Sequence, residues 1–282
     1  MSIKIISDSG CDLPVDILNE YDIDILPISV IRDEKEVFIT PKEVYDGMRS
    51  GVVYKTSQVS PLSFQEKFEE YAKNKEAVIY LAFSSGISGT YQSALIAEND
   101  VKEKYPDFDI DIVDTKAASL GCGLIVYEAA KLAKKGASKD EIINAIDYYV
   151  EHIEQVFTVD DLEYLFRGGR VTKTAAFVGG LLNIKPILEV TKEGKLVPIE
   201  KVRGRSKVFK RMIELMKERG NGANFSEQLI AISHGDDLED CNKLKDMIAE
   251  AYGAKSFLIN TVGAGIGAHS GPGTIALFFL RK

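Results

Sequence analysis

The chain has 282 residues, 45% of them hydrophobic and 28% charged, with 35 basic against 43 acidic side chains for a net charge of −8. That length carries one large or two ordinary domains and buries a real core. The acidic balance argues against a general binder of nucleic acid or of anionic membranes.

The N-terminus, MSIKIISDSG, goes straight into a strand pattern with neither a signal-type apolar region nor a cleavage site. Residues 3–8 read as a buried strand and 14–21 as a short helix with Pro14 in its first turn. Residues 23–32 are β-rich. In 60–74, Phe64, Phe68 and Tyr71 fall on one helical face. A strand at 77–83 precedes a polar loop and a helix from about Gly89, and a strand at 108–114 precedes a loop and a helix from about Ala118. The stretch 138–154 is helical, with Ile142, Ile146, Tyr149 and Ile153 in one stripe and Ser138 and Glu141 as a capping box. Strands separated by helices predict a mostly parallel sheet with helices on both faces.

The rhythm changes near residue 156. Two strands joined by a Glu-Gly-Lys turn (186–204), a helix (206–219), the strand EQLIAISHG (227–235), a helix (237–252) and strands near 256–262 and 274–281 predict an α+β unit on a mostly antiparallel sheet. The expected architecture is therefore α/β with two domains, 1–156 and 157–282, and a cleft between them. No apolar run approaches the roughly 20 residues that span a bilayer, so an integral membrane protein is not expected; transient membrane contact stays compatible with the sequence. Cys11, Cys122 and Cys241 are odd in number and far apart, which fits a cytoplasmic protein with reduced thiols.

Four polar loops carry the candidate chemistry. VGAGIGAHSGPGT (262–274) packs five glycines around His269 and formally matches G-x-G-x-x-[GA], but a strand and the chain end follow it where a dinucleotide fingerprint needs a βαβ unit. SSGISGTYQSA (84–94) follows an apolar strand and opens a helix, so its hydroxyls and backbone N–H groups suit an anion; helix capping by Ser88 is the competing explanation. It sits one residue out of register with a serine-hydrolase elbow. YKTSQVSP (54–61) reads as turn and cap chemistry. FRGGRVTKT (166–174) sets Arg167, Arg170 and Lys173 beside a Gly-Gly turn, either as a solvated face or as a grip on carboxylate or phosphate. His152 reads as structural, His234 as a turn residue, and Asp236 and Asp237 as caps of the next helix. No short-spaced ligand cluster suggests a metal.

Taken in order, SDSGCDLP (7–14), KTSQVSP (55–61), SSGISGTYQSA, DTKAASLGCG (114–123), FRGGRVTKT, NIKPIL (183–188) and GAHSGPG (267–273) resemble the DegV family of bacterial proteins nearly end to end. The resemblance implies a two-domain DegV-like fold that binds one long-chain fatty acid, such as palmitate or oleate, with no other cofactor. It also implies a carrier subunit without activity of its own. Such a subunit presents the carboxylate to the ATP-binding subunit of a fatty acid kinase, for acyl-phosphate formation and phospholipid synthesis. Carried over by motif, Thr56, Ser88 and His269 would hold the carboxylate, Arg170 and Ser57 would join the polar network near the head group, and Arg203 would serve kinase docking. Val59 and Ser60 intervene before Pro61 where family members often have Pro directly after TSQ.

The physics agrees with a lipid. A buried carboxylate is costly unless several donors meet it, and about fourteen methylenes at ~0.8 kcal/mol each supply a gross term on the order of 11 kcal/mol. The glycines around His269 would let the backbone close over a head group while leaving a mouth, and AAFVGGLLNI (175–184) is a candidate for part of the tunnel wall, ordinary core packing being the alternative. The competing functional reading is a stand-alone acyl or phosphoryl transferase using Ser88 with His269 as base. A transcription regulator is disfavoured by the acidic charge and the lack of a helix-turn-helix pattern.

Overall fold

The computed structural model describes residues 3–172 and 183–282. Its first half runs β1 (Ile3–Asp8), α1 (Val15–Glu20), β2 (Asp24–Leu26), β3 (Ser29–Arg32), β4 (Lys35–Val37), α2 (Pro41–Arg49), β5 (Lys55–Ser57), α3 (Pro61–Asn74), β6 (Ala77–Ala82), α4 (Thr90–Lys104), β7 (Ile110–Asp114), α5 (Leu120–Lys134) and α6 (Lys139–His152). The second runs β8 (Ile153–Thr158), α7 (Glu163–Arg167), β9 (Ile184–Val190), β10 (Leu196–Arg203), α8 (Arg205–Arg219), β11 (Leu229–His234), α9 (Leu238–Tyr252), β12 (Ser256–Thr261), α10 (Ala264–Ser270) and β13 (Ile275–Leu280).

A four-stranded parallel sheet, β2-β1-β6-β7, forms the centre of the first half. Strand β6 (AVIYLA) is buried along its whole length because both of its faces are covered. Ile79 and Leu81 pack with α5 and α6 on one side, and Val78, Tyr80 and Ala82 pack with α3 and α4 on the other. That two-sided burial explains the unbroken apolar run. The helix starts follow local chemistry: Ser60 caps α3 with Pro61 in its first turn, and Ser138 with Glu141 closes a capping box on α6.

The second half holds a six-stranded sheet, β10-β9-β8-β13-β11-β12, antiparallel at every pair except β11 and β12. Its pleat sorts the side chains. Val156, Ile275, Leu277 and Phe279 face α8 and α9, while Phe157, Ala276 and Phe278 face back toward the first half and join its core. The sheet face shared by the two halves is where the tunnel described below lies.

Three features differ from the sequence reading. Ile153 leaves the predicted helical stripe and opens β8, because α6 stops at His152; residue 156, the expected boundary, therefore falls inside a strand of the second sheet. Residues 29–57 build a separate antiparallel sheet, β4-β3-β5, whose strands of three or four residues are too short to show a clear alternation. The glycine-rich run does open a helix, the seven-residue α10, but the next strand, β13, pairs antiparallel with β11, so no βαβ unit follows.

Candidate site at the meeting of tunnel and cleft

Helix α10 carries the site, and its glycines permit its position. A Cβ on Gly267 would lie 2.6 Å from the hydroxyl of Tyr45, which donates to the carbonyl of Val262 at 2.9 Å. Gly271, at φ +79°, ends the helix in a conformation that other residues rarely adopt. The bulk is thus cleared for close packing of α10 against α2 and its neighbours. Gly267 and Gly271 lie against Tyr45 and Tyr164, while Gly265 lines the hollow described below.

His269 is 9% exposed, and its Nε2 lies 2.6 Å from Thr56 Oγ1 and 3.4 Å from Arg170 Nη1. Burial, with the Arg170 guanidinium second, pushes the imidazole down to about 4, so it is neutral at neutral pH. With its single proton on Nε2 it donates to Thr56, and the threonine proton stays available to an anion; with the proton on Nδ1, threonine donates to the ring instead. Arg170 is half-buried, donates through Nε to Ile87 O (3.2 Å) and through Nη1 to Gly168 O (2.6 Å), and pairs with no carboxylate among the described residues.

Thr56, Ser88, Arg170 and His269 together line one hollow, which encloses about 740 Å³ of free space with its open side included. The rest of its wall is mainly apolar: Phe83 and Ile87 from the loop after β6, Phe157, Val190 and Leu196 from the second sheet, and Ala276 and Phe278 from β13. On the outer side of the same cluster lies a second cleft, lined by Thr56, Arg170 and His269 together with Lys55 and Arg167. No acidic residue is among its described lining, although Glu163 lies 3.4 Å from Arg167. Thr56, Arg170 and His269 line both, so the mainly apolar hollow meets the cationic cleft at one hydroxyl, a neutral imidazole and a guanidinium.

The profile of the DegV family, described as uncharacterised, matches residues 2–282. This chain belongs to the DegV family. A DegV domain-containing protein of Clostridium perfringens is 45% identical over 98% of this chain and 96% of its own length. A DegV protein of Thermus thermophilus, solved in a study of its fatty acid binding, superposes with a TM-score of 0.89 at 30% identity and full coverage of both chains. A stearic acid-binding protein of Eubacterium ventriosum superposes with a TM-score of 0.91 at 28% identity over 99% of this chain and 98% of its own.

In this DegV protein the fold brings Thr56, Ser88, Arg170 and His269 together, and it leaves Ser57 out. Alternation along β5 turns Ser57 away from Thr56, and its exposed hydroxyl reaches only Gln58 O at 3.4 Å. Arg203 also stands apart, exposed at the end of edge strand β10 and outside the tunnel lining, with its backbone paired to Ile184. Ser88 Oγ bonds to Thr90 Oγ1 at 2.9 Å while His269 bonds to Thr56, so the serine–histidine pair required by the transferase reading is not assembled. The insertion of Val59 and Ser60 is absorbed locally: Val59 is buried in the core beneath α3 and α4, and Ser60 becomes the cap of α3. Residues 173–182, which include Lys173 and most of the proposed wall segment 175–184, lie outside the described residues.

Sequence reasoning missed two aspartates of the SDSGCD motif. Asp8, fully buried, accepts from Gly10 N, Phe83 N and Tyr80 Oη and so fixes the backbone of the tunnel residue Phe83. Asp12 accepts from Ser119 Oγ at 2.6 Å and Gly263 N at 2.9 Å, tying the start of α5 to the approach to α10; burial pushes its carboxyl up to about 7. The only signal available was two acids inside an otherwise apolar strand and turn. His234 and Asp237 behave as read, His234 Nδ1 accepting from Asp237 N and Asp237 capping α9, whereas Asp236 pairs with Arg49. All three cysteines are unpaired and buried. Among the described residues no helix is long and apolar enough to cross a membrane, and no cluster of three or more potential metal ligands occurs.

Proposed function

We propose that this DegV protein binds one long-chain fatty acid, with its tail in the tunnel and its carboxylate at Thr56, Ser88 and His269. The observation that carries the reading is an apolar hollow whose one polar end consists of uncharged donors backed by a single guanidinium. Such an end satisfies a buried carboxylate, and the wall of Phe, Leu, Val and Ala side chains suits an apolar tail. The solved relatives, one studied for fatty acid binding and one that binds stearic acid, support the same ligand class.

The reading extends to a carrier without activity of its own. The carboxylate is presented through the outer cleft to the ATP-binding subunit of a fatty acid kinase, and the resulting acyl phosphate feeds phospholipid synthesis. The cationic lining of that cleft, in a chain of net charge −8, supports delivery of a phosphoryl group there. Arg203, charged, exposed and remote from the tunnel, is assigned to kinase docking. Mass spectrometry of an organic extract of the purified protein tests the first part: one equivalent of a long-chain fatty acid is expected, and none recovered, with no palmitate uptake afterwards, overturns it. Phosphorylation of bound palmitate by the kinase subunit, and none by this chain alone, tests the second.

A further inference from the structure

Ser270 ends α10 and lines the tunnel next to His269. It is 4% exposed, and its Oγ is the one buried side-chain polar atom among the described residues with no hydrogen-bond partner. The other hydroxyls of the wall are all engaged. Thr56 contacts His269, Ser88 contacts Thr90, Ser119 contacts Asp12 and Ser233, and Thr274 Oγ1 donates to the carbonyls of Ser270 and Gly271. A hydroxyl buried without a partner is costly, and a fold keeps one where something else supplies the bond.

We propose that Ser270 is a third hydroxyl donor to the carboxylate of the guest, beside Thr56 and Ser88; this rests on the reading of the tunnel as a fatty acid site. Its place in the chain limits the choice. Adjacent Cα atoms are about 3.8 Å apart, so Ser270 stands at the same end of the hollow as His269, where the head group lies. Methylenes offer it nothing. A carboxylate has acceptor capacity for about four hydrogen bonds, and Thr56 and Ser88 use two. Ser270 adds its proton without adding charge, which keeps the pocket selective for the acid over its ester through the number of donors it directs at the anionic oxygens.

Two variants of equal size separate a hydrogen-bonding role from a packing one. Ser270→Thr keeps the hydroxyl and Ser270→Val replaces it with methyl. Palmitate and methyl palmitate affinities are measured for both and for the unchanged protein, together with the melting temperature without ligand. The expected result is that Ser270→Val melts no lower than Ser270→Thr, yet binds palmitate about tenfold more weakly with little change for the ester. Equal palmitate affinity of the two variants, or equal losses for acid and ester, overturns the assignment. Failure of the unchanged protein to bind palmitate overturns instead the fatty acid reading on which it rests.

Discussion

Filling the tunnel tests its course more directly than altering its polar end. Ala276 is 6% exposed, lies in register between Phe157 and Ser233, and lines the hollow two residues before Phe278 on the same face of β13. Ala276→Leu places three more carbons in that space and displaces about as many methylenes of a guest that passes it. At ~0.8 kcal/mol per methylene the loss for palmitate is ~2.4 kcal/mol, roughly 50-fold in affinity, while a guest shorter by a few carbons is spared. The assay is displacement of a fluorescent fatty acid by a series of saturated acids from ten to eighteen carbons, with thermal melting of the empty protein alongside. A leucine that enters free space leaves the melting temperature unchanged or raises it, whereas overpacking a filled core costs ~1–3 kcal/mol. Equal weakening of all chain lengths, or destabilisation of the empty protein with no change in chain-length preference, refutes the path drawn here.

Thr56→Val removes one hydrogen bond to an anion, about 1.5–3 kcal/mol, so palmitate binding weakens roughly ten- to a hundredfold with the methyl ester little affected; an unchanged dissociation constant excludes Thr56 from the head-group site. His269 is held at about 4, below its ordinary value of about 6.5, so the stability of the neutral imidazole is present above pH ~6.5 and is lost, on the order of 3 kcal/mol, as pH falls through about 4. His269→Gln flattens that limb in urea unfolding followed between pH 7 and 4, and parallel curves for the two proteins contradict the burial argument. Asp12 has the opposite sign: raised to about 7, it contributes stability at low pH that fades as pH rises through 7, and Asp12→Asn removes the alkaline loss, measured by urea unfolding at pH 6 and pH 9. Arg203→Glu leaves palmitate affinity intact and lowers kinase-dependent phosphorylation; weakened lipid binding with normal phosphorylation reverses the assignment.

Much of the scaffold was legible because its signals are local. The capping box of α6, the unbroken apolar run of β6 and the turn between β9 and β10 are written in a few adjacent residues. The three-stranded sheet was not legible, since strands this short draw their pairing from long-range contacts. The site was legible as motifs but not as geometry. Ser57 and Thr56 are neighbours in sequence, and only the pleat of β5 decides which faces His269. The glycines around His269 marked a special backbone, yet what they make room for is distant in sequence: Tyr45 lies more than 200 positions from Gly267 and Tyr164 more than 100 from Gly271. The roles of Asp8 and Asp12 were hidden for the same reason: their partners Phe83, Ser119 and Gly263 are distant in sequence.

The character of the polar end bears on why a carrier would avoid a salt bridge. A carboxylate gripped by a bidentate arginine is strongly stabilised as an anion and correspondingly slow to attack a phosphoryl group. Here the one guanidinium at hand spends Nε and Nη1 on the carbonyls of Ile87 and Gly168, and burial holds the imidazole neutral. The carboxylate would thus be met by hydroxyls, which offset its desolvation without neutralising it, and the tail would add the apolar part of the affinity. Lengthening or blocking the hollow then alters affinity alone, whereas the polar end sets affinity and reactivity together: replacing a hydroxyl by a fixed positive charge, as in Ser88→Lys, would tighten the acid's grip and slow its phosphorylation.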